Sequence, residues 1–285
     1  MSAYQKKLHH LLREALNEDI GDGDHSTLSC ISADKKGKAI LKIKQDGILA
    51  GIDVAETIFK TVEPETIFTA YKEDGENMFF GEQAFVAEAH VHTILKCERL
   101  VLNVMQRMSG IATLTQQYNQ LLKGYHTKIL DTRKTTPNFR LLEKEAVKIG
   151  GGTNHRFGLY DMIMLKDNHI DFAGGIENAI NKAWEYMQTK KPDLQIEVET
   201  RTLEDVKKVL QMGEGKVLRI MLDNFSSAEI TEAVRLIAGK FETEASGGIN
   251  LQNLEEYAKT GVDYISAGAL IHQAKSLDLS LKAEI

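Results

Sequence analysis

The sequence predicts an α/β protein whose larger part is a parallel β/α barrel preceded by an α+β domain. Three observations lead there. Beyond residue 127, short apolar runs alternate with amphipathic helical patterns, as parallel strands with helical crossovers require. Before residue 95, short strands are punctuated by glycine instead. No glycine-rich dinucleotide fingerprint accompanies the alternating half, which ranks an open doubly wound sheet below a closed or nearly closed barrel.

The first segment, Met1 to Asn17, interleaves Leu8, Leu11, Leu12 and Leu16 with Lys6, Lys7, His9, His10 and Arg13. That spacing predicts an amphipathic helix packed on a globular body rather than an export signal. Ala39–Ile43 and Gly47–Gly51 read as strands, Val54–Thr61 as a short helix, and Ala84–Ala89 as a further strand after a pair punctuated by Gly75 and Gly81. A long helix is expected over 93–123, broken or bent at Gly110. The barrel strands are expected at Thr127–Leu130, Met162–Leu165, Leu194–Val198, Leu218–Leu222, Phe241–Ala245 and Val262–Ile265. Helices are expected at Phe139–Ile149, Ile176–Met187, Leu203–Met212, Ser226–Ala238 and Leu251–Lys259.

Composition narrows the function. Hydrophobic residues at 42% and charged residues at 27% are those of a folded globular chain, so disorder is excluded. The net charge of −6 argues against a nucleic-acid partner. No apolar run reaches the roughly 20 residues a membrane span needs. Cys30 and Cys97 offer neither a disulfide framework nor metal-ligand spacing, which fits reduced thiols in the cytoplasm. His9, His10, His90 and His92 read as surface or packed histidines. No nucleophile elbow and no zinc-protease motif occurs.

In parallel β/α architectures the active site lies at the carboxyl ends of the strands. Here those ends carry, in order, Asp131-Thr132-Arg133-Lys134, Lys166-Asp167-Asn168-His169, Glu199, Asp223-Asn224, Ser246-Gly247-Gly248 and Ser266-Ala267-Gly268. A glycine-rich loop, Gly150 to Arg156, supplies His155 and Arg156. Three successive glycines point to a close approach to a ligand or another chain. Arg133, Lys134, His155, Arg156 and Lys166 form a basic set in a net-acidic chain, the signature of an anionic ligand. The Ser-Gly-Gly and Ser-Ala-Gly turns after the last two strands suit phosphate. Glu199 and Asp223 suit Mg²⁺, or serve to neutralise the basic residues.

Taken together and in order, these segments resemble the quinolinate phosphoribosyltransferase family. They include Glu18-Asp19-Ile20-Gly21, Glu98 to Asn103, Ser109 to Thr113, Asp131 to Pro137, Gly150 to Arg156, Lys166 to His169, Glu197-Val198-Glu199, Leu222 to Asn224, Ala245 to Ile249 and Ser266 to Gly268. The resemblance covers nearly the whole chain. It implies an N-terminal α+β sandwich with its linking helix over 1–112, an incomplete, seven-stranded β/α barrel over 113–270, and a C-terminal segment, 271–285, packed back on the first domain. The seventh strand would be the short stretch near Thr153–His155.

The activity implied is that of a pentosyltransferase of NAD biosynthesis. Quinolinate and phosphoribosyl pyrophosphate give nicotinate mononucleotide, pyrophosphate and CO₂, with Mg²⁺ as cofactor. Arg133, His155, Arg156 and Lys166 would surround quinolinate, joined by Arg99 of a second subunit in a homodimer or hexamer. Thr132 and Lys134 would also face the substrates. Glu199 and Asp223 would bind ribose hydroxyls or metal, and Ser246–Gly248 and Ser266–Gly268 phosphate. Lys134, Lys166, Glu199 and Asp223 are the residues expected at the reacting centre. One departure is Asn138-Phe139 where the family usually has Gly-Leu; asparagine tolerates a left-handed turn. Three other readings are a paralogue acting on a different anionic ring, a barrel lyase using Lys166 as a Schiff-base nucleophile, and a non-catalytic phosphate-binding module.

Overall fold

The computed structural model describes residues 2–284, and its contacts divide the chain into two compact units. The first comprises residues 1–116, 135–151 and 273–285, less the two terminal residues, and the second 117–134 and 152–272. The sequence-based boundaries kept 135–151 within the barrel domain; its contacts group it with the N-terminal unit instead.

The first unit opens with α1 (Ala3–Ile20) and α2 (His25–Cys30), then β1 (Lys36–Ile43), β2 (Gly47–Ile48), α3 (Ile52–Val62), β3 (Ile67–Ala70), β4 (Asn77–Met78), β5 (Gln83–His90) and α4 (Val91–Leu121), whose last turn belongs to the second unit. Leu8, Leu12 and Leu16 recur every four residues and are the buried side chains of α1, as an amphipathic face requires. Ser2 and Gln5 close a capping box at its start. The main sheet is antiparallel in the order β12-β1-β5-β3, where β12 is Leu279–Glu284 near the C-terminus. Phe59, Phe68 and Phe85 pack as an aromatic cluster, with Phe68 and Phe85 centroids 4.5 Å apart.

Helix α4 is continuous through Gly110, contrary to the expected break. The glycine is there for packing: a Cβ would run into the carbonyl of Lys275, where the C-terminal segment crosses the helix. Gly150 does the same for α5 (Arg140–Ile149), since a Cβ there would strike the Ala112 carbonyl of α4. The close approach expected of that glycine is therefore to a helix backbone and not to a ligand. Asn138 takes φ +61°, the left-handed conformation that its place in the turn anticipates.

The second unit continues with β6 (Lys128–Leu130), β7 (Ile163–Leu165), α6 (Asp167–Ala173), α7 (Ile176–Lys190), β8 (Ile196–Thr200), α8 (Leu203–Met212), β9 (Arg219–Asp223), α9 (Ser227–Ile237), β10 (Glu242–Ser246), α10 (Leu254–Ala258), β11 (Tyr264–Ser266) and α11 (Ala269–His272). Its six strands are parallel in the order β6-β11-β10-β9-β8-β7. The order runs from β7 to β11 without reversing and then returns to β6, which is barrel winding and not a doubly wound sheet. A single parallel bridge, Leu130 to Thr153, adds the seventh segment beside β6. Among the described residues no ladder joins that segment to β7, so the ring stays open between them. No helix among them is long and apolar enough to cross a membrane.

Within the first unit, one buried carboxylate ties three stretches of chain. Glu143 of α5 is fully buried and accepts from Arg107 Nε and Nη2 at 3.0 and 2.8 Å, and from the Thr136 amide at 2.8 Å. Arg107 also donates to the Ala274 carbonyl at 2.8 Å. Glu143→Ala should cost about 3–5 kcal/mol of unfolding free energy, because the remaining charge loses its partner. Denaturant unfolding measures this; a loss below about 1 kcal/mol, the scale of a surface pair, would contradict it.

Candidate active site

Side chains alternate along a strand, so residues two apart share a face. In the second unit this places Glu197 and Glu199 of β8, Arg219 and Asp223 of β9, Glu242, Glu244 and Ser246 of β10, and Tyr264 and Ser266 of β11 on one face. The register aligns them in rows. Glu197 pairs with Arg219 and Arg219 with Glu242; Glu244 pairs with Tyr264, and Asp223 with Ser246. The sheet interior is therefore charged, where such barrels usually pack branched apolar residues.

At the strand ends, Arg133 and Lys134 are exposed after β6. The Lys134 amide donates to Thr132 Oγ1 at 3.0 Å, which turns the chain at that point. The Lys134 stem passes over Gly268, where a Cβ would come within 2.8 Å of its Cδ. Arg156 is half-buried, and its guanidinium is held below its ordinary value by burial and by the neighbouring Arg133 charge. Two like charges brought together at a strand end suit an anionic ligand.

Lys166, after β7, donates to Glu199 Oε2 at 2.6 Å. Glu199 is buried and Lys166 is not, so the lysine supplies the cation that a buried carboxylate needs. His169 Nδ1 accepts from the Lys166 amide at 3.0 Å and starts α6, a helix where the sequence suggested only a polar strand end.

The turn after β9 is built around Asn224, at φ +60°. Its amide donates to the Ser246 carbonyl at 2.8 Å, and its side chain to Asp223 Oδ2 at 2.6 Å. Gly247, at φ +102°, leaves no room for a Cβ beside Asn224, whose backbone nitrogen would lie 2.9 Å away. The Ser246–Gly248 turn is thus pinned to the neighbouring turn through backbone contact. Around Gly248 there is open space, as close approach of a ligand requires. Arg99 belongs to the first unit, where it is exposed on α4.

His155 takes a different position from the other basic residues. Its ring is 5% exposed, with Nε2 at 2.9 Å from Glu197 and 3.3 Å from Glu244. Arg219 binds Glu244 at 2.9 Å and Glu242 at 2.8 Å, and stacks 4.1 Å over the Tyr264 ring. Arg219, Glu242, Glu244 and Tyr264 were not singled out from the sequence, although Glu-x-Glu stands on two of the barrel strands, at 197–199 and 242–244. His155, Glu197 and Glu244 are close enough to share a metal ion. Arg219 already supplies a cation to Glu244, so the group reads as an ion network.

Burial and the facing charges shift the ionisation of that network. Burial lowers the His155 imidazolium and the two carboxylates outweigh it, raising it to about 9; burial and the Glu244 charge push Glu197 up to about 7. The Arg156 amide donates to His155 Nδ1 at 2.6 Å. His155 is accordingly no free cation at the strand ends.

A parallel β/α unit with convergent cations, two carboxylates and paired glycine turns at its strand ends defines an enzyme for anionic, phosphate-bearing substrates. The comparisons with known proteins make this specific. Residues 24–109 match the N-terminal domain of quinolinate phosphoribosyl transferase, and residues 111–282 its C-terminal domain. The chain belongs to the quinolinate phosphoribosyltransferase family. It is 44% identical over 287 residues to the chloroplastic nicotinate-nucleotide pyrophosphorylase [carboxylating] of Arabidopsis thaliana, covering 96% of this chain and 82% of that one. It is 42% identical over 277 residues to the probable nicotinate-nucleotide pyrophosphorylase [carboxylating] of Bacillus subtilis (strain 168), covering 96% and 93%. Among solved structures, NadC from Streptococcus pyogenes superposes with a TM-score of 0.91 at 39% identity, covering 99% of this chain and 97% of that one. The enzyme from Francisella tularensis gives 0.89 at 38%, covering 98% and 96%.

Two outcomes follow from the geometry. Glu197 has a folded value of about 7 against an ordinary 4.5, so its contribution to stability is complete below that ordinary value and lost as pH rises through the folded one. Unfolding free energy should fall between about pH 5 and 8, and Glu197→Gln should flatten that slope; an unchanged slope in the variant would contradict the assignment. Gly247→Ala should weaken phosphate-ester binding about tenfold or more, by displacing a pinned turn. Calorimetry with inorganic phosphate and phosphoribosyl pyrophosphate checks this, and unchanged affinities would remove the turn from the site.

Proposed function

We propose that this protein transfers the phosphoribosyl group of phosphoribosyl pyrophosphate to quinolinate, releasing pyrophosphate and CO₂ and forming nicotinate mononucleotide. The observation that carries the reading is the meeting of Arg133 and Arg156 in a unit whose other strand ends offer Lys134, Lys166 and two glycine turns. Quinolinate bears two adjacent carboxylates, and planar guanidinium groups match carboxylates in a bidentate way. Thr132 sets the turn that presents Arg133 and Lys134. Ser246 to Gly248 and Ser266 to Gly268 would bind phosphate through backbone N–H groups.

The reaction asks for charge stabilisation more than proton transfer. The pyridine nitrogen forms a bond to the anomeric carbon as the bond to pyrophosphate breaks, and charge accumulates on the leaving group. Lys134 lies across the Gly268 turn, suitably placed to meet that charge. Loss of CO₂ then leaves an electron pair on the carbon beside the cationic nitrogen, and a proton from water completes the product. Glu199 and Asp223 end adjacent strands and are hard oxygen donors, a set that fits Mg²⁺. They would hold the ion, which when bound neutralises pyrophosphate charge. Lys166 holds the Glu199 carboxylate in place for metal or ribose hydroxyls.

A Schiff-base lyase needs a free amine, and Lys166 is engaged as a donor to Glu199. The proposal includes a homodimer, or a higher assembly of dimers, in which Arg99 from a second copy completes the cation set. Its support is the exposure of Arg99 on α4.

Incubation with quinolinate, phosphoribosyl pyrophosphate and Mg²⁺ should yield nicotinate mononucleotide, with nicotinate inert as the acceptor. Arg133→Ala should raise the KM for quinolinate about tenfold to a hundredfold, the worth of one bidentate charge-assisted pair. No product from the wild-type protein would defeat the proposal, and an Arg133→Ala enzyme with unaltered KM would defeat the assignment of that residue.

A further inference from the structure

The segment 152–156 is joined to the sheet by one bridge only, at Thr153, and lies on the open side of the ring. A stretch with so little ladder has to be fixed by side chains. Asp131, fully buried at the end of β6, accepts from the His155 amide at 2.8 Å and from Asn154 Nδ2 at 2.6 Å. The ring of His155 then crosses to strands β8 and β10, where Glu197 and Glu244 stand 2.9 and 3.3 Å from its Nε2. At its other nitrogen it accepts from the Arg156 amide at 2.6 Å. The imidazole is therefore a strut. One end is set by interior carboxylates, themselves held by Arg219, and the other fixes the backbone from which Arg156 projects beside Arg133.

We propose that Glu197 and Glu244 are positioning residues for recognition of the acceptor's carboxylates: they touch no substrate, and act by locking His155 and through it the Arg156 backbone. This rests on the reading of the site given above. A guanidinium on a segment with one ladder bridge gains its geometry from that lock, and a displacement on the order of 1 Å costs up to a hundredfold in such sites. The effect belongs to the acid acceptor and not to the phosphorylated sugar, whose candidate groups stand on other strand ends.

The test separates position from stability. Glu197→Leu keeps approximate volume and removes the carboxylate that stands opposite Nε2; taking one member out of a buried ionic group lowers stability, so the two ligands are compared on the folded variant, below its unfolding transition. Glu197→Gln keeps an acceptor oxygen. Calorimetry with quinolinate and with phosphoribosyl pyrophosphate, and amide hydrogen exchange over residues 153–157, are measured on both variants and the wild type. The expected result for Glu197→Leu is quinolinate binding weakened about tenfold or more, sugar binding within about twofold, and faster exchange at the Arg156 amide. Glu197→Gln should restore quinolinate binding and slow exchange. Should the leucine variant not fold, Glu197→Met, unbranched and adaptable, takes its place.

Wild-type affinity and wild-type exchange in the leucine or methionine variant would overturn the proposal. So would equal losses for both ligands, which mark a merely structural role. If the wild-type protein itself ignores quinolinate, the proposed activity fails while exchange at Arg156 still decides whether the strut exists.

Discussion

A carboxylate taken out of water must find a cation or a proton, and that requirement organises the second unit. Glu197, Glu199 and Glu244 are all buried on one face of a parallel sheet. Each has its answer: Glu199 has Lys166, Glu244 has Arg219, and Glu197 has the His155 ring at 2.9 Å. None of these answers is local in sequence. Lys166 comes from the end of β7, Arg219 from β9 and His155 from the segment beside β6. The interior charges thus bind the strands across the ring as well as along it, on a sheet whose ladder does not close. Removing a single partner from such a group leaves an uncompensated charge, which is far costlier than replacing the group as a whole.

The same constraint sorts the basic residues by role. Cations used internally, Arg219 and Lys166, have carboxylate partners within 3 Å. Arg156 is half-buried, and burial and the neighbouring Arg133 charge disfavour its cationic form. A dianion bound there would relieve that cost. A stable fold does not need two guanidinium groups brought together at a strand end; an acid-binding enzyme does. The glycine turns follow a similar logic. Gly247 is fixed against Asn224 and Gly268 lies under the Lys134 stem, so both keep backbone close to where a phosphate would sit.

Much of this was legible in the sequence, for physical reasons that also mark where legibility ends. Strand positions were readable because a buried parallel strand is a short apolar run, and all six fall within a few residues of expectation. The strand ends were readable because polar groups must stop where the sheet meets solvent. Asn138 was readable as a left-handed position because few other residues tolerate one. Gly110 misled, since a glycine inside a helix looks the same whether it bends the helix or admits a crossing chain. Helix α6 was hidden because its start is capped by His169, an unusual acceptor for that role. The grouping of α5 with the first unit rests on Glu143, Arg107 and Ala274, far apart in the chain. His155 carried the subtlest difference: its residue type announces a cation, while its surroundings make it a strut.

The central claim is that paired guanidinium groups at the strand ends recognise two adjacent carboxylates on one ring. The most direct measurement is equilibrium binding of quinolinate against nicotinate, which lacks one of the two. Each charge-assisted carboxylate contact is worth about 1.5–3 kcal/mol, so nicotinate should bind about ten to a hundred times more weakly. Equal affinity for the two acids would contradict the account.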